Sequence, residues 1–424
     1  MKETLSSEKS SEKFDLVLGI DRSDKSFQAC LLNRGGSSLT QAVSSAPEQM
    51  FAWWEELREA NPGKRIAVAF EQPARNLVAF FGAVQVEAVF ALNPSLTWAF
   101  RHSKKVSGAR TDSSDAKDIA TYVMIHQGEL IPWREPDPTA RQIRSFAQSR
   151  RKFVDQRTAL TNRLQETLKS YYPQALGFLH EDIHRAINLA FLRNWATPQD
   201  LEKASENELI AFFHSRGSRS AKRMNERLEI LRSLRPLTRD PAIVEPAAME
   251  VLAIVDLIET QNKIVVQYDQ TIETLFEGAG ERVPIFQALP GAGVVMAPRV
   301  FAAFSINVEA CKDSRDMAAL SGAAPVTRQS GKTRTVHRRL QCDAFTRQTF
   351  HEWVKESWKF SKWAKAFVRY HQKNGKHFNT IMRMLALKWI RILYRLWQTR
   401  ELYDEERYIS NLIKRGHYLA PLLK

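Results

Sequence analysis

Four carboxylates stand where an oxygen-ligated metal site would need them. Asp21 closes the apolar run Phe14–Asp21, and Glu71 closes a second such run, Lys64–Glu71. Asp112 and Asp115 lie three residues apart. On a helix, predicted over Asp112–Ile125, both would project from one face of the first turn. Four acids within a few ångströms cannot all stay ionised without cations. Two Mg²⁺ ions about 3.5–4 Å apart, with Mn²⁺ as a substitute, would relieve the repulsion and hold a scissile phosphate. Taken singly, Asp112 reads equally well as a helix N-cap, and Asp115 as a first-turn acid matching the helix dipole. Asp118, one turn beyond Asp115, is an alternative ligand.

The second candidate is a serine. In SGAAPVTRQSGKTRTVHRR, residues 321–339, Ser330 precedes Gly331 among Arg328, Lys332, Arg334, His337, Arg338 and Arg339. A serine hydroxyl is a poor nucleophile at neutral pH. A dense cationic shell could favour its alkoxide and stabilise the pentacoordinate phosphorus it attacks. The plainer reading is a flexible basic loop that only touches phosphate. Ser321 reads as part of a helix-ending turn before Gly322. Leu289-Pro290-Gly291-Ala292-Gly293-Val294 is a tight turn entering a helix. Its glycines could let backbone N–H groups meet a phosphate, or simply join two helices.

The elements that must position these residues follow from periodicity. Phe14–Asp21 and Ser26–Asn33 read as a strand pair, and Gly35-Gly36 as a turn. Pro47–Ala60 has helical spacing, Lys64–Glu71 is a buried strand, Asn76–Phe81 a short helix and Val84–Asn93 another strand. This alternation predicts an α/β domain over 14–128. In an RNase H-like arrangement the strands ending in Asp21 and Glu71 are neighbours, and the helix from Asp112 completes the set. Residues 1–13, rich in Ser, Glu and Lys, are predicted to be a disordered tail. After a Pro-containing linker at 132–138, long helices are predicted at about Thr139–Tyr172 and Pro246–Phe276. They would pair as an antiparallel coiled coil about 50 Å long, with a helical insertion over 173–240, the whole spanning 129–282. A mostly α-helical domain over 283–400 and a tail over 401–424 complete the expected order.

Charge is the third signal. The chain of 424 residues carries a net +15, and Ser321–Arg400 holds 18 Lys and Arg against three acids. That one segment therefore accounts for the whole excess, an electrostatic footprint for a polyanion. Its tryptophans Trp353, Trp358, Trp363, Trp389 and Trp397 read mostly as core residues. Three widely separated cysteines exclude a disulfide framework or a cysteine zinc site. No signal peptide or membrane span is visible, so a soluble cytoplasmic protein is expected, nucleoid-associated when bound to DNA.

GID at 19–21, FEQ at 70–72, RTDSSDAKDIA at 110–120, LPGAG at 289–293 and SGAAPVTRQSGK at 321–332 together resemble the insertion-sequence one-hundred-and-ten family of transposases and the related Piv-type DNA invertases. The resemblance covers about 14–128 and 283–398. It implies a RuvC-like, RNase H-fold domain with an Asp-Glu-Asp-Asp metal site, falling on Asp21, Glu71, Asp112 and Asp115. It also implies a C-terminal transposase domain whose nucleophilic serine falls on Ser330. Members are recombinases guided by a noncoding bridge RNA that pairs with donor and target DNA. They act as homo-oligomers, from dimer to tetramer, whose active sites draw the two domains from different subunits.

Four other readings compete. Actin-like and sugar-kinase ATPases also open on a Gly-Ile-Asp strand, but they need a Gly/Thr-rich phosphate turn where this chain has Arg22-Ser23-Asp24-Lys25. His180-Glu181-x-x-His184 matches a zinc-protease pattern by letter, and on a helix the two imidazoles would share a face. A nucleic-acid-binding protein without catalysis would explain the charge and leave the carboxylates idle. A hydrolytic RuvC-type nuclease would use the carboxylates without the serine.

Overall fold

The structure is a computed structural model that describes residues 14–23, 25–71, 75–104, 111–130, 132–133, 137–309 and 311–423. The expected N-terminal tail, Gln72, Arg110 and part of the Pro-containing linker lie outside the described residues. The chain divides into two compact units, 1–135 and 136–424.

The first unit is built on a five-stranded sheet. In chain order its elements are β1 (Leu16–Arg22), β2 (Ser26–Asn33), β3 (Ser38–Ser44), α1 (Pro47–Glu59), β4 (Ile66–Glu71), α2 (Arg75–Ala83), β5 (Ala88–Leu92), α3 (Pro94–Lys104) and α4 (Asp112–His126). The strand order is β3-β2-β1-β4-β5. β1 pairs antiparallel with β2 and parallel with β4, so it is central and buried on both faces. Alternation then assigns the faces. Leu16, Leu18 and Ile20 join Ile66, Val68 and Phe70 in a core with Trp53, Trp54, Leu77 and Phe81 of α1 and α2. Val17, Ala67 and Ala69 join Ile119, Ala120 and Val123 of α4 on the opposite face.

Two elements of this unit are absent from the sequence reading, β3 and α3. The strand expected over Val84–Asn93 is confined to Ala88–Leu92. α2 runs on to Ala83, and Gln85 then takes a left-handed backbone, φ +51°, which no strand accommodates.

The second unit opens on α5 (Pro138–Tyr171), followed by the short helices α6 (Ala175–Phe178), α7 (Ala186–Asn194), α8 (Pro198–Glu202), α9 (Glu206–Ser215) and α10 (Ala221–Arg232), and then α11 (Pro241–Glu277). α5 and α11, 34 and 37 residues long, run antiparallel. The polar pairs across them step in opposite directions: Arg150 with Asp269, Arg157 with Asn262, Arg163 with Glu250. Pro246 does not begin α11. Asp240 caps the helix and Pro241 takes its first turn, where a missing N–H costs nothing. One end of the pair buries Leu164, Leu168, Val251 and Ile258 against the short helices. The other end buries Ile143, Ala147, Ile272 and Phe276 in the C-terminal core.

That core is completed by α12 (Val283–Gln287), α13 (Gly293–Val308), α14 (Ser314–Leu320), a hairpin of β6 (Val326–Ser330) and β7 (Thr333–His337), α15 (Ala344–Phe360), α16 (Lys362–Lys373), α17 (Phe378–Thr399) and α18 (Glu405–Lys414). Trp353, Trp363 and Trp389 are fully buried, with ring centres 5.0–5.2 Å apart across the Trp389 ring. The tryptophans of the basic segment are thus mostly core. Residues 401–423 are not a free tail. Trp363 Nε1 donates to Tyr403 Oη at 2.7 Å, and Leu419 is buried in the same core. Among the described residues no helix is long and apolar enough to cross a membrane.

Candidate active site

β1 and β4 are parallel neighbours, with Ile20 opposite Phe70. Asp21 and Glu71 therefore leave the sheet side by side, at the same end and on the α4 face. The approach of α4 depends on Gly19, two residues before Asp21. A Cβ there would lie 2.1 Å from the Ala116 carbonyl oxygen and 2.5 Å from the Ala120 nitrogen. Only a residue without a side chain lets the helix backbone rest on the strand, and that contact brings the first turn of α4 to Asp21. Gly19→Val is expected to lower unfolding stability by about 3 kcal/mol, since the clash is with backbone that cannot rotate away. Denaturant unfolding checks it. Gly82→Ala, with open space around the added methyl, is the control and should be neutral or stabilising.

Asp112 is not the N-cap of α4. Thr111 holds that position, its hydroxyl accepting from Ser114 N at 3.2 Å while the Ser114 hydroxyl accepts from Thr111 N. Capping therefore does not account for Asp112. It is exposed in the first turn, while Asp115, one turn on, is buried. Burial, and then the charges of Asp115, Asp112 and Glu71 in that order, push the Asp21 carboxyl up to about 6. The four acids thus share one electrostatic neighbourhood at the sheet end.

Their side chains are nevertheless not gathered into a closed shell. Among the described residues no three Asp, Glu, His or Cys side chains stand close enough to hold a metal ion as they are. Two of the four acids are held by α3 instead. The Thr97 hydroxyl bonds Glu71 Oε1. Arg101 Nη2 lies 2.9 Å from Asp115 Oδ1, and its Nε donates to Asp118 Oδ2 at 3.2 Å. Asp118 was the alternative ligand, and it is engaged by the same guanidinium. The donor set still fits a hard divalent cation. All four groups offer oxygen, and the repulsion visible at Asp21 is what such a cation relieves.

The serine segment is a two-stranded hairpin, where a basic loop was the plainer expectation. Ser330 ends β6, pairs with Thr333 and precedes the two-residue turn Gly331-Lys332, where Gly331 takes φ +55°. Cross-strand partners share a face, so Ser330 lies with Arg328, Thr335 and His337. Arg334 pairs with Gln329 and points to the other face, which corrects the expectation of a cationic ring. Lys332 stands in the turn. Arg338 follows β7 and is exposed, and Arg339 is half-buried with its Nε bonded to the Ala324 carbonyl at 3.3 Å. Ser330 itself is exposed. Ser321, by contrast, is 2% exposed and donates to the Ala318 carbonyl at 3.0 Å, a structural role.

Two other expectations change. Gly291, φ +69°, packs against α15, where a Cβ would meet the Glu356 backbone at 2.8 Å, and the Trp353 ring donates to the Pro290 carbonyl at 3.0 Å. That glycine is required by helix packing, whereas Gly293, φ +50°, has open space around it. His180 and His184 do not lie on a helix, and the His180 ring contacts Arg223, so the zinc-protease geometry fails. A further basic feature was not foreseen. A cleft of about 280 Å³ between α17 and α18 is lined by Lys388, Arg391, Arg395 and Arg407, by Glu401, which pairs with Arg407, and by Asp404, Tyr403 and Tyr408.

Comparison with known proteins adds an independent finding. A family model described as "Transposase" matches residues 18–173, and one described as "Transposase IS116/IS110/IS902 family" matches residues 283–369. The first match contains all four acids and the second contains Ser330. The "Mini-circle putative transposase for IS117" of Streptomyces coelicolor is 24% identical over 332 residues, 77% of this chain and 80% of the relative. The "Insertion element IS116 uncharacterized 44.8 kDa protein" of Streptomyces clavuligerus is 25% identical over 249 residues, 56% of this chain and 60% of the relative.

Proposed function

The chain belongs to the IS116/IS110/IS902 family of transposases and is an enzyme of DNA strand transfer, and from that premise we propose that it is an RNA-guided recombinase working through a phosphoserine. The observation that carries the reading is that Asp21 and Glu71 end neighbouring parallel strands while Asp112 and Asp115 stand in the first turn of the helix packed on Gly19, in a chain that also presents an exposed serine on a basic hairpin. The sheet order, with two antiparallel and two parallel pairings around β1, supports an RNase H-like, RuvC-type first domain. The long antiparallel pair of α5 and α11 is in keeping with a coiled coil that gathers subunits.

Asp21, Glu71, Asp112 and Asp115 would hold Mg²⁺, or Mn²⁺ in its place, which when bound supplies charge neutralisation at the phosphate. The rest of the chemistry falls to the chain. Ser330 Oγ attacks phosphorus, the bond from phosphorus to a deoxyribose oxygen breaks, and that oxygen leaves with a proton. The hydroxyl of the recipient strand then attacks the phosphoserine, and Oγ leaves. Bond energy is kept in the covalent ester, so no external energy is needed to reseal. Arg328, on the Ser330 face, and Lys332 in the turn would stabilise the charge that develops on the phosphoryl oxygens. The family resemblance adds that a complete site joins the carboxylates of one subunit to the serine of another.

Guidance is tested by what the protein carries. RNA extracted from purified protein is expected to be one species encoded beside its gene, pairing in part with both donor and target DNA. Random RNA, or none, would favour a transposase that reads DNA directly. Affinity for that RNA should fall steeply with salt. Lys388, Arg391 and Arg395 recur along one face of α17, and no acid pairs with Arg391 or Arg395 among the described residues. Replacing both arginines by alanine is expected to reduce the slope of log affinity against log salt by about 2.

A further inference from the structure

α3 was not anticipated, and its buried face is polar. Thr97 is 0% exposed and Arg101 6%, one turn apart on that face. Each meets a different member of the carboxylate set. Thr97 has one proton and two acceptors in reach, the Glu71 carboxylate and the Pro94 carbonyl at 3.0 Å. The charged acceptor is the stronger partner. Arg101 spans two turns of α4, reaching Asp115 at 2.9 Å and Asp118 at 3.2 Å. Burying an arginine is costly unless its charge is matched, and here two buried acids match it.

From this geometry we propose that Thr97 and Arg101 are positioning residues for the carboxylate site, and that Asp118 is the anchor of Arg101 rather than a metal ligand. The proposal rests on the metal-binding reading above. Glu71 and Asp115 each sit on a rotatable side chain at the edge of an element. A donor on a rigid helix fixes one oxygen of each, and with it the direction in which the carboxylate is presented. Because Thr97 and Arg101 share one helix, a single rigid body sets the two acids relative to each other. Asp118 projects from the same side of α4 as Asp115, but it lies between Ala116 and Ala120, the residues that rest on Gly19, and so stands a turn back from the level of Asp21, with its Oδ2 accepting from Arg101 Nε. It acts on the site through that guanidinium.

The test uses full-length protein and Mn²⁺ alone as the probe, with binding read from the electron paramagnetic resonance of free Mn²⁺ and folding from thermal melts. Thr97→Val keeps the shape and removes the donor. It is expected to weaken Mn²⁺ binding about 10-fold to 100-fold. Thr97→Ser restores the donor and should restore binding. Equal affinity for wild type and a folded Thr97→Val would overturn the positioning role. For Asp118 the measurement is a double-mutant cycle. Asp118→Asn alone should weaken binding, whereas adding it to Arg101→Met should leave the affinity within about threefold of Arg101→Met alone, because the shared route is already cut. Losses that add in full would make Asp118 a ligand and overturn the anchor role. Mn²⁺ binding that is absent in wild type, or indifferent to Asp21→Asn, would refute the metal reading itself and this proposal with it. Binding that is lost in Asp21→Asn but untouched in Thr97→Val would refute this proposal alone.

Discussion

Asp21→Ala is expected to reduce DNA strand cleavage by about 10³-fold or more while leaving nucleic-acid affinity within a few-fold of wild type. Asp21 stands at the C-terminal end of the central strand, and Asp115, Asp112 and Glu71 all act on its carboxyl. Its removal takes one oxygen donor from the middle of the set. It changes no Lys or Arg, and the net positive charge of the chain resides in Ser321–Arg400, far from Asp21 in sequence. The two readouts therefore separate. A plasmid recombination assay measures the first, and binding to labelled DNA or RNA measures the second. Full recombination by Asp21→Ala would remove the carboxylates from the mechanism. Loss of binding in parallel with cleavage would point to a misfolded first unit, which a thermal melt distinguishes.

Asp21 and Glu71 were legible because their neighbours are apolar. Runs such as LVLGID and IAVAFE can only be buried strands, and a carboxylate closing such a run is conspicuous. Gly19 was visible as a letter, but its reason was not. The need for it comes from the Ala116 and Ala120 backbone, about a hundred residues away in sequence. α3 escaped for a different physical cause. Hydrophobic periodicity finds a helix by the apolar face it buries. α3 buries Thr97 and Arg101 and exposes Leu96 at 44% and Trp98 at 56%, so its pattern is inverted. One signal did announce it: Asn93 caps Ser95 N at 3.0 Å and Pro94 takes the first turn. The β6–β7 hairpin was hidden in the opposite way. Its residues are almost all exposed, so nothing apolar marks its strands beyond Val326 and Val336, and only the Gly331 turn hints at the reversal.

That hairpin carries the second large effect. Ser330→Ala is expected to leave RNA and DNA binding intact and to reduce strand exchange to the background of the assay. Recombination must cut and rejoin strands without external energy, and a hydrolysed phosphodiester would lose that energy to water. An ester on Ser330 would retain it. The position suits a residue that must reach substrate: Ser330 is exposed at the tip of a two-stranded arm, with Arg328 on its face and the backbone turning at Gly331. Ser321 is the internal control. Its hydroxyl is buried and spent on the Ala318 carbonyl, so Ser321→Ala should keep most of the activity and lose only modest stability, about 1 kcal/mol. Trapping the reaction on a denaturing gel should give a protein–DNA adduct, and mass spectrometry should place the link on the peptide containing Ser330. Attachment at another residue would move the nucleophile. Cleavage with only free 5′ and 3′ ends would make the carboxylates the whole active site, attacking with water, and would leave the exposed serine as a phosphate contact on a basic arm.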